Sequence, residues 1–315
     1  ETYADANTDN DFLKALAMGG YQVGALAKLY FPGGVDLEGL KTDEAIEKTR
    51  ALLEQENVVL FEAALQSGPF LVRVDVLVKE GEKVTLIEVK SKTYDFHDDE
   101  GFFTKRGEGL LSKWEPYLVD VAFQTHVAKL AYPKWNIHPQ LMLADKSSHA
   151  TVDGLHQLFR VESGDGRSMK VHVRAGVASK DLGEHVLRAK AVDREVDYLT
   201  NEFLYPNKET LPGFARYLAG MKQEGKPGIR RTNSLCKKCE FRPEPNLLTE
   251  GLKSGFEECW KAEGRLKESD QGRALIFDLW NCPTHKLLSG DKAFMDQLTE
   301  EDLRPKKPSS SKDRR

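Results

Sequence analysis

The stretch from Val72 to Lys92, VRVDVLVKEGEKVTLIEVKSK, constrains the fold more than any other part of the chain. Two runs rich in β-branched residues flank Lys79-Glu80-Gly81-Glu82, where glycine permits a sharp bend, so the segment predicts a β-hairpin. Period-two alternation places Val72, Val74, Val76 and Val78 on one face of the first strand. Arg73, Asp75 and Leu77 fall on the other. On the second strand Glu88 and Lys90 share a face, while Ile87 and Val89 point oppositely into apolar packing. Two carboxylates and an amine converging on a pleated surface suit a hard divalent cation, which takes one or two carboxylates and completes its shell with water and phosphate oxygens. A lysine beside such a site can stabilise a phosphoryl transition state or help to deprotonate water. The same three residues also fit a solvated, salt-bridged strand face, and the spacing alone does not separate these readings.

Flanking segments supply layers around this hairpin. Asn7 to Asn10 offers caps for a helix over Phe12 to Leu16 that is expected to stop at Gly19-Gly20. A second helix is expected from Tyr21 to the Pro32-Gly33-Gly34 breaker. Thr42-Asp43 can cap a third, with Ala45, Ile46, Thr49, Leu52 and Leu53 facing inward. Val58 to Ala64 reads as a buried strand, Tyr117 to Tyr132 as a helix, and Leu141 to Ala144 and Leu158 to Val161 as further strands. Residues 165–230 read as mostly helical. The sum is an α/β chain with a mixed sheet flanked by helices.

Composition narrows the partners. With 315 residues, 40% apolar and 30% charged, the chain reads as a soluble globular protein of one large or two modest domains. No apolar run approaches the roughly 18 residues of a bilayer-spanning helix, so no membrane partner is expected. The opening ETYADANTDN is polar and acidic and carries no signal peptide, which points to the cytoplasm. A first residue other than Met fits a fragment or a processed product. The net charge of −4 sets the chain apart from proteins that coat nucleic acid, so any such contact must be local. The local candidate is the polar stretch Thr93 to Pro116, where Phe96, Phe102, Phe103 and Trp114 interleave with Lys92, Lys105, Arg106 and Lys113. Such residues can grip a single strand by charge and stacking, or the rings can pack down on the sheet. His97-Asp98-Asp99-Glu100 reads as a solvated acidic loop, and His126 as structural.

All four cysteines, Cys236, Cys239, Cys259 and Cys282, lie in the last third of the chain, which favours metal or cluster ligation over disulfides. Cys236-Lys237-Lys238-Cys239 is a C-x2-C element on a tight turn, and Cys259 and Cys282 can complete a four-sulfur site. Zinc and a [4Fe–4S] cluster both accept four cysteines. No Gly-rich phosphate loop and no serine-triad signature occurs, so hydrolysis by a serine nucleophile has little support. The expected division is a core with N-terminal helices over residues 1–200, a helical cysteine segment over 201–303, and a disordered basic tail or linker over 304–315.

Asp75 followed by Glu88-Val89-Lys90 at the end of a hydrophobic strand resembles the PD-(D/E)XK nuclease superfamily, in its RecB-like branch. Asp120-Val121-Ala122-Phe123-Gln124 resembles that branch's glutamine motif. Tyr21 to Gly34, Thr49, Leu60 to Ala64 and Lys253 to Trp260 resemble a bacterial family of RecB-like proteins of unassigned function, and the likeness covers roughly residues 10 to 300. The resemblance implies a restriction-endonuclease-like core. It tips the cysteine site towards iron–sulfur and implies a tail that continues into a further, exonuclease-like domain. The sequence departs from the pattern at Val74, where the motif's name has proline, and at Ala128, where the branch often has tyrosine. No histidine precedes His97, which leaves the helix before the sheet only Glu44 or Glu47 to offer. No cysteine precedes Cys236.

The expectation is therefore a divalent-metal-dependent nuclease acting on DNA, set in a repair or phage-defence complex. Asp75, Glu88, Lys90 and Gln124 form the catalytic set. Mg²⁺ or Mn²⁺ is held by Asp75, Glu88 and the main-chain carbonyl of Val89, with Glu62 as an outer ligand. The alternative is a catalytically inactive nucleic-acid-binding or scaffold module stabilised by its cysteine-bound metal or cluster, motivated by Ala128 and the missing histidine.

Overall fold

In the computed structural model the described residues are 3–7, 10–97, 101–163, 169–226, 232–242, 251–270, 272–280 and 282–303. The expected tail over 304–315, and Asp98 to Glu100 of the acidic loop, lie outside them. The chain divides into two compact units, one of Lys14–Lys226 and one of Glu1–Leu13 with Pro227–Arg315. The division thus falls later than the expected end of the core at residue 200. Residues 201–226 stay with the sheet because α5 (Leu211–Gln223) sets Ala215 and Ala219 against its apolar face. The first residues join the cysteine unit because Ala4 and Ala6 donate backbone hydrogen bonds to Lys253 and Glu240.

The larger unit is built on a six-stranded sheet of order β1-β2-β3-β4-β5-β8. Its strands are β1 (Val35–Asp36), β2 (Asn57–Ser67), β3 (Phe70–Glu80), β4 (Lys83–Tyr94), β5 (Asn136–Asp145) and β8 (Leu187–Ala191). The β1–β2 and β4–β5 pairs are parallel and the others antiparallel, so the sheet is mixed as expected. Parallel neighbours cannot be joined by a tight turn, and α3 (Glu115–Ala131) provides the β4–β5 crossover. The β3–β4 hairpin forms as predicted, with Gly81 at φ 61° in its turn. Pairing of β8 with β5 corrects the expectation that residues 165–230 are mostly helical; the short strand β7 (Met169–Val173) also falls there, paired with β6 (Phe159–Ser163).

One sheet face carries Leu60, Leu65, Leu77 and Leu86, all fully buried with α3 residues Val127 and Ala128. Each such side chain stabilises the fold by roughly 1.5–3 kcal/mol relative to exposure. The helix α2 (Thr42–Leu52) packs here too, and its buried Thr49 hydroxyl accepts the N–H of Ala64 at 3.0 Å. The β1–β2 pairing has ended by then, so this amide takes a side-chain partner instead. The opposite face holds Phe61, Val76, Ile87 and Met142 beneath α1 (Asp11–Leu29) and the β6–β7 ribbon. The helix α1 runs unbroken through Gly19 and Gly20, which corrects the expected stop. Two glycines cost about 1 kcal/mol each against alanine, less than the packing of Leu26 and Ala27 returns.

Simple alternation fails on β3. Val72 and Val74 lie in the α3-side core, but Val76 and Val78 lie in the α1-side core and Leu77 returns to the first. The phase changes at Asp75. On β2 it changes at Glu62, where Leu60 and Ala63 share one core and Phe61 lies in the other. Glu62 has φ 55°, a left-handed conformation that costs a non-glycine residue roughly 1–2 kcal/mol. The β2–β3 register is kept on both sides, at Phe61↔Val76 and Ala63↔Val74, and is interrupted only between them. A Glu62→Gly variant is expected to exceed Glu62→Ala in stability by about 1 kcal/mol, the reverse of an ordinary strand position. Denaturant midpoints of the two variants check this, and equal midpoints would remove the strain argument.

Candidate functional site

The site forms where β3 and β4 part. Their pairing stops at Val76↔Ile87, although β3 continues along β2 to Ser67↔Phe70 and β4 continues along β5 to Tyr94↔Asp145. The N–H of Val89 therefore has no β3 carbonyl opposite it. The carboxylate of Asp75 accepts it instead at 2.7 Å. Asp75 and Glu62 line one cavity of about 530 Å³ together with Lys90, Val89 and three residues from beyond the hairpin, Lys28, Asp36 and Glu38.

Glu88 sits in the α3-side layer. It is 6% exposed, its Oε1 lies 2.5 Å from the Lys90 amine, and its Oε2 accepts Gln124 Nε2 at 2.5 Å. Gln124 is buried on α3, as the helical reading of its neighbours implied, and its Oε1 is left without a hydrogen-bond partner. Lys90 also reaches Asp120 Oδ2 at 3.3 Å, one turn before Gln124. The fold thus brings Asp75, Glu88, Lys90 and Gln124 together, with Asp75 on the cavity side of the seam and Glu88 engaged on the helix side. Among the described residues, no three His, Cys, Asp or Glu side chains are gathered closely enough to hold a metal ion as they stand.

Electrostatics separates the roles of these groups. Burial raises the Asp75 carboxyl, and the charges of Glu88 and Glu62 raise it further; the Val89 N–H and Lys90 oppose this but leave it up at about 8. Glu62 is also raised, first by burial and then by Glu38 and Asp36 against the lowering pull of Lys28 and Arg73. Burial alone would lower the Lys90 amine, but Glu88 and Asp120 outweigh it and hold it up at about 12. Lys90 is thus a fixed cation at neutral pH. The Asp75 carboxyl keeps its proton there, a state a bound dication would displace. The set is all hard oxygen, three carboxyls and the Val89 carbonyl, and such donors fit Mg²⁺ or Mn²⁺.

Other expected residues fall elsewhere. Glu44 and Glu47 are exposed on α2 and do not line the cavity, which corrects their candidacy as helix-borne ligands. Asp36 and Glu38, from the segment around β1, line the cavity instead, with Lys28 bridging them. No local pattern marks these three, because only the β1–β2 pairing carries Asp36 next to Glu62. The aromatic residues of the excursion after β4 pack down. Tyr94, Phe102 and Trp114 are buried in the core under α3, so the expected stacking by Phe102 and Trp114 is not available to a base. Lys92 lies over the rings of Trp114 and Tyr117 at 4.7 and 4.9 Å, and Lys113 over Trp114 at 5.8 Å. Lys105 and Arg106 are exposed in a separate turn. His126 is partly buried against Phe70, in keeping with a structural role.

In the smaller unit the cysteines border one apolar cluster. Cys236, Cys239 and Cys282 are partly buried against the cluster that includes Phe256, Trp260 and Phe277, and Cys259 lies on α6 (Gly255–Ala262), between Phe256 and Trp260 in sequence. None of the four is joined in a disulfide. Lys237, inside the C-x2-C turn, donates to the carbonyl of Leu279 at 2.8 Å and so ties that turn to the segment carrying Cys282.

No protein-family model matches this chain, and comparison with curated proteins and with solved structures finds no match either.

The raised Asp75 carboxyl has a consequence for metal-free stability. Such a carboxyl binds its proton more tightly when folded than when unfolded. Its stabilising contribution is full below the ordinary value of 3.8 and is lost as pH climbs to about 8. In chelator, Asp75→Asn should gain on the wild type steadily over that window, by about 2–4 °C in melting temperature per kcal/mol. A difference between the two proteins that is flat with pH would show that Asp75 titrates normally.

Proposed function

We propose that this chain is a divalent-metal-dependent nuclease that hydrolyses phosphodiester bonds, with DNA as substrate. The observation that carries this reading is the seam between β3 and β4. It sets Asp75, its carboxyl raised to about 8, beside Glu62 in a cavity that the charged Lys90 also lines, with Glu88 across the strand. The resemblance of Asp75, Glu88-Val89-Lys90 and Gln124 to the PD-(D/E)XK pattern points the same way, towards a restriction-endonuclease-like core.

Asp75, Glu88, the Val89 carbonyl and Glu62 would hold Mg²⁺ or Mn²⁺. When bound, such an ion supplies polarisation of the phosphate and activation of water. The chain's own residues then have distinct tasks. Lys90 is charged throughout the neutral range, so it acts as an electrostatic stabiliser of the developing phosphoryl charge rather than as a base. Gln124 fixes the Glu88 carboxylate through its amide N–H and keeps its own carbonyl oxygen unpaired towards further donors. Asp75 would have to release its proton to hold such a cation, so cation affinity would rise with pH up to about 8. In the cysteine unit we take a [4Fe–4S] cluster, with zinc as its competitor, to staple the segments carrying Cys236, Cys239, Cys259 and Cys282.

One observation favours a second reading. Glu88 is already satisfied by Lys90 and Gln124, an arrangement that a non-catalytic binding or scaffold module could keep without any metal.

Asp75→Ala, Glu88→Ala and Lys90→Ala should each lower Mn²⁺-dependent cleavage of single- or double-stranded DNA by about a hundredfold or more while circular dichroism is unchanged. Wild-type rates in all three, or cleavage that persists in EDTA, would sink the assignment. Protein purified without oxygen should carry iron and acid-labile sulfide. Stoichiometric zinc would assign the site to zinc, and neither metal would refute a cysteine-held group.

A further inference from the structure

The excursion after β4 contains a second concave site that shares no lining residue with the carboxylate cavity. An isolated bridge pairs Phe103 with Leu110, Thr104 N–H donates to the Gly109 carbonyl, and Gly107 N–H donates to the Thr104 carbonyl. These bonds close a tight hairpin with Lys105 and Arg106 at its corner, and Gly107 and Gly109 supply the positive φ it needs. Arg194 approaches from α4 (Asp193–Asn201), its guanidinium lying over the Phe103 ring at 4.3 Å. Tyr198, one turn on, meets the same ring edge-on at 5.4 Å. The hairpin and Arg194 enclose a pocket of about 560 Å³.

Charge gives this pocket its chemistry. Lys105, Arg106 and Arg194 line it, and among the described residues no carboxylate does. Glu108 and Asp193 are neighbours in sequence but are not part of the lining. None of the three cations makes an ion pair with a described residue, whereas the Lys28 and Lys90 cations of the other cavity are both paired. A guanidinium over a ring face uses none of its N–H donors on the ring, and those donors match two oxygens of a phosphate. Further cations continue along the same excursion and β4. Lys113 and Lys92 flank Trp114, and Lys90 and Lys92 both lie over the Tyr117 ring, at 5.7 and 4.9 Å.

We infer that the Phe103–Leu110 hairpin and Arg194 form a phosphate-binding pocket that takes the backbone of a nucleic-acid strand. The phosphate chemistry follows from the pocket alone; its assignment to a strand rests on the nuclease reading. Because the rings here are buried or covered, binding is through backbone phosphates, and it is independent of base sequence and of the divalent metal.

The test uses the full chain in EDTA with a short fluorescein-labelled oligothymidylate, read by fluorescence anisotropy over a series of salt concentrations. Arg194→Gln and the double variant Lys105→Gln/Arg106→Gln should each weaken binding severalfold. Each should also lower the slope of log affinity against log salt by about 0.7 for every phosphate no longer neutralised. The double variant changes only exposed turn residues, so it guards against misfolding of Arg194→Gln. Unchanged affinity and slope in both variants, or a wild type that does not bind the strand, overturns the proposal. Inorganic pyrophosphate is the second arm. It should displace the labelled strand far less well than unlabelled oligothymidylate does at equal ionic strength, and Arg194-dependent pyrophosphate binding tighter than that of the strand would overturn the strand assignment. A chain that binds through Arg194 but never cuts loses the nuclease reading and keeps the pocket, and one that cuts while ignoring these variants loses only the pocket.

Discussion

A single hydrogen bond, from the Val89 N–H to the Asp75 carboxylate, marks the constraint on which the rest of the site depends. An antiparallel pair that separates must satisfy the amides it strands, since an unpaired buried N–H costs about as much as a lost hydrogen bond. Here the acid that satisfies the amide comes from the departing strand. The arrangement pins Asp75 at the seam between two layers. Its neighbour across β2, Glu62, is held in a left-handed conformation at the same level of the sheet. The fold thus tolerates local strain at the point where its carboxyls converge, a pattern common at functional sites.

Burial divides the charged groups into two states. Glu88 is almost fully buried, yet Lys90 and Gln124 compensate it directly, and removing one partner of such a pair leaves a charge the interior cannot solvate. Asp75 has only one N–H and a more distant amine, so burial and the neighbouring carboxylates hold it protonated. Two acids of nearly identical chemistry therefore meet different partners at one seam, a backbone N–H for Asp75 and the Lys90 amine and Gln124 amide for Glu88. The difference lies in which side of the sheet each faces.

The basic excursion follows another logic. Its rings supply the core beneath α3, and the cations spread over their outer edges, where ring faces attract them without removing them from water. A chain with net charge −4 can in this way present a local positive surface beside an acidic cavity.

Much of this was legible in the sequence. Hairpin, turn, crossover helix and mixed sheet followed from apolar periodicity and turn residues, which are local properties. The placing of Glu88 and Lys90 on one face followed from the strand period, and Gln124 from the apolar residues around it on a helix. The phase change at Asp75 was not legible, because alternation assumes a strand whose partners do not leave it. Nor were Lys28, Asp36, Glu38 and Arg194, which reach their sites only through strand pairing and helix packing across long sequence separations. The helix through Gly19-Gly20 and the edge strand β8 were decided the same way, by burial against neighbours that outweighs local preference. The sequence by itself determined which segments are strands and helices and which residues could carry charge into a site. Only the tertiary structure decided which of those charges are buried, paired or left open, because solvation and partnership are set by what packs alongside and not by what is adjacent in the chain.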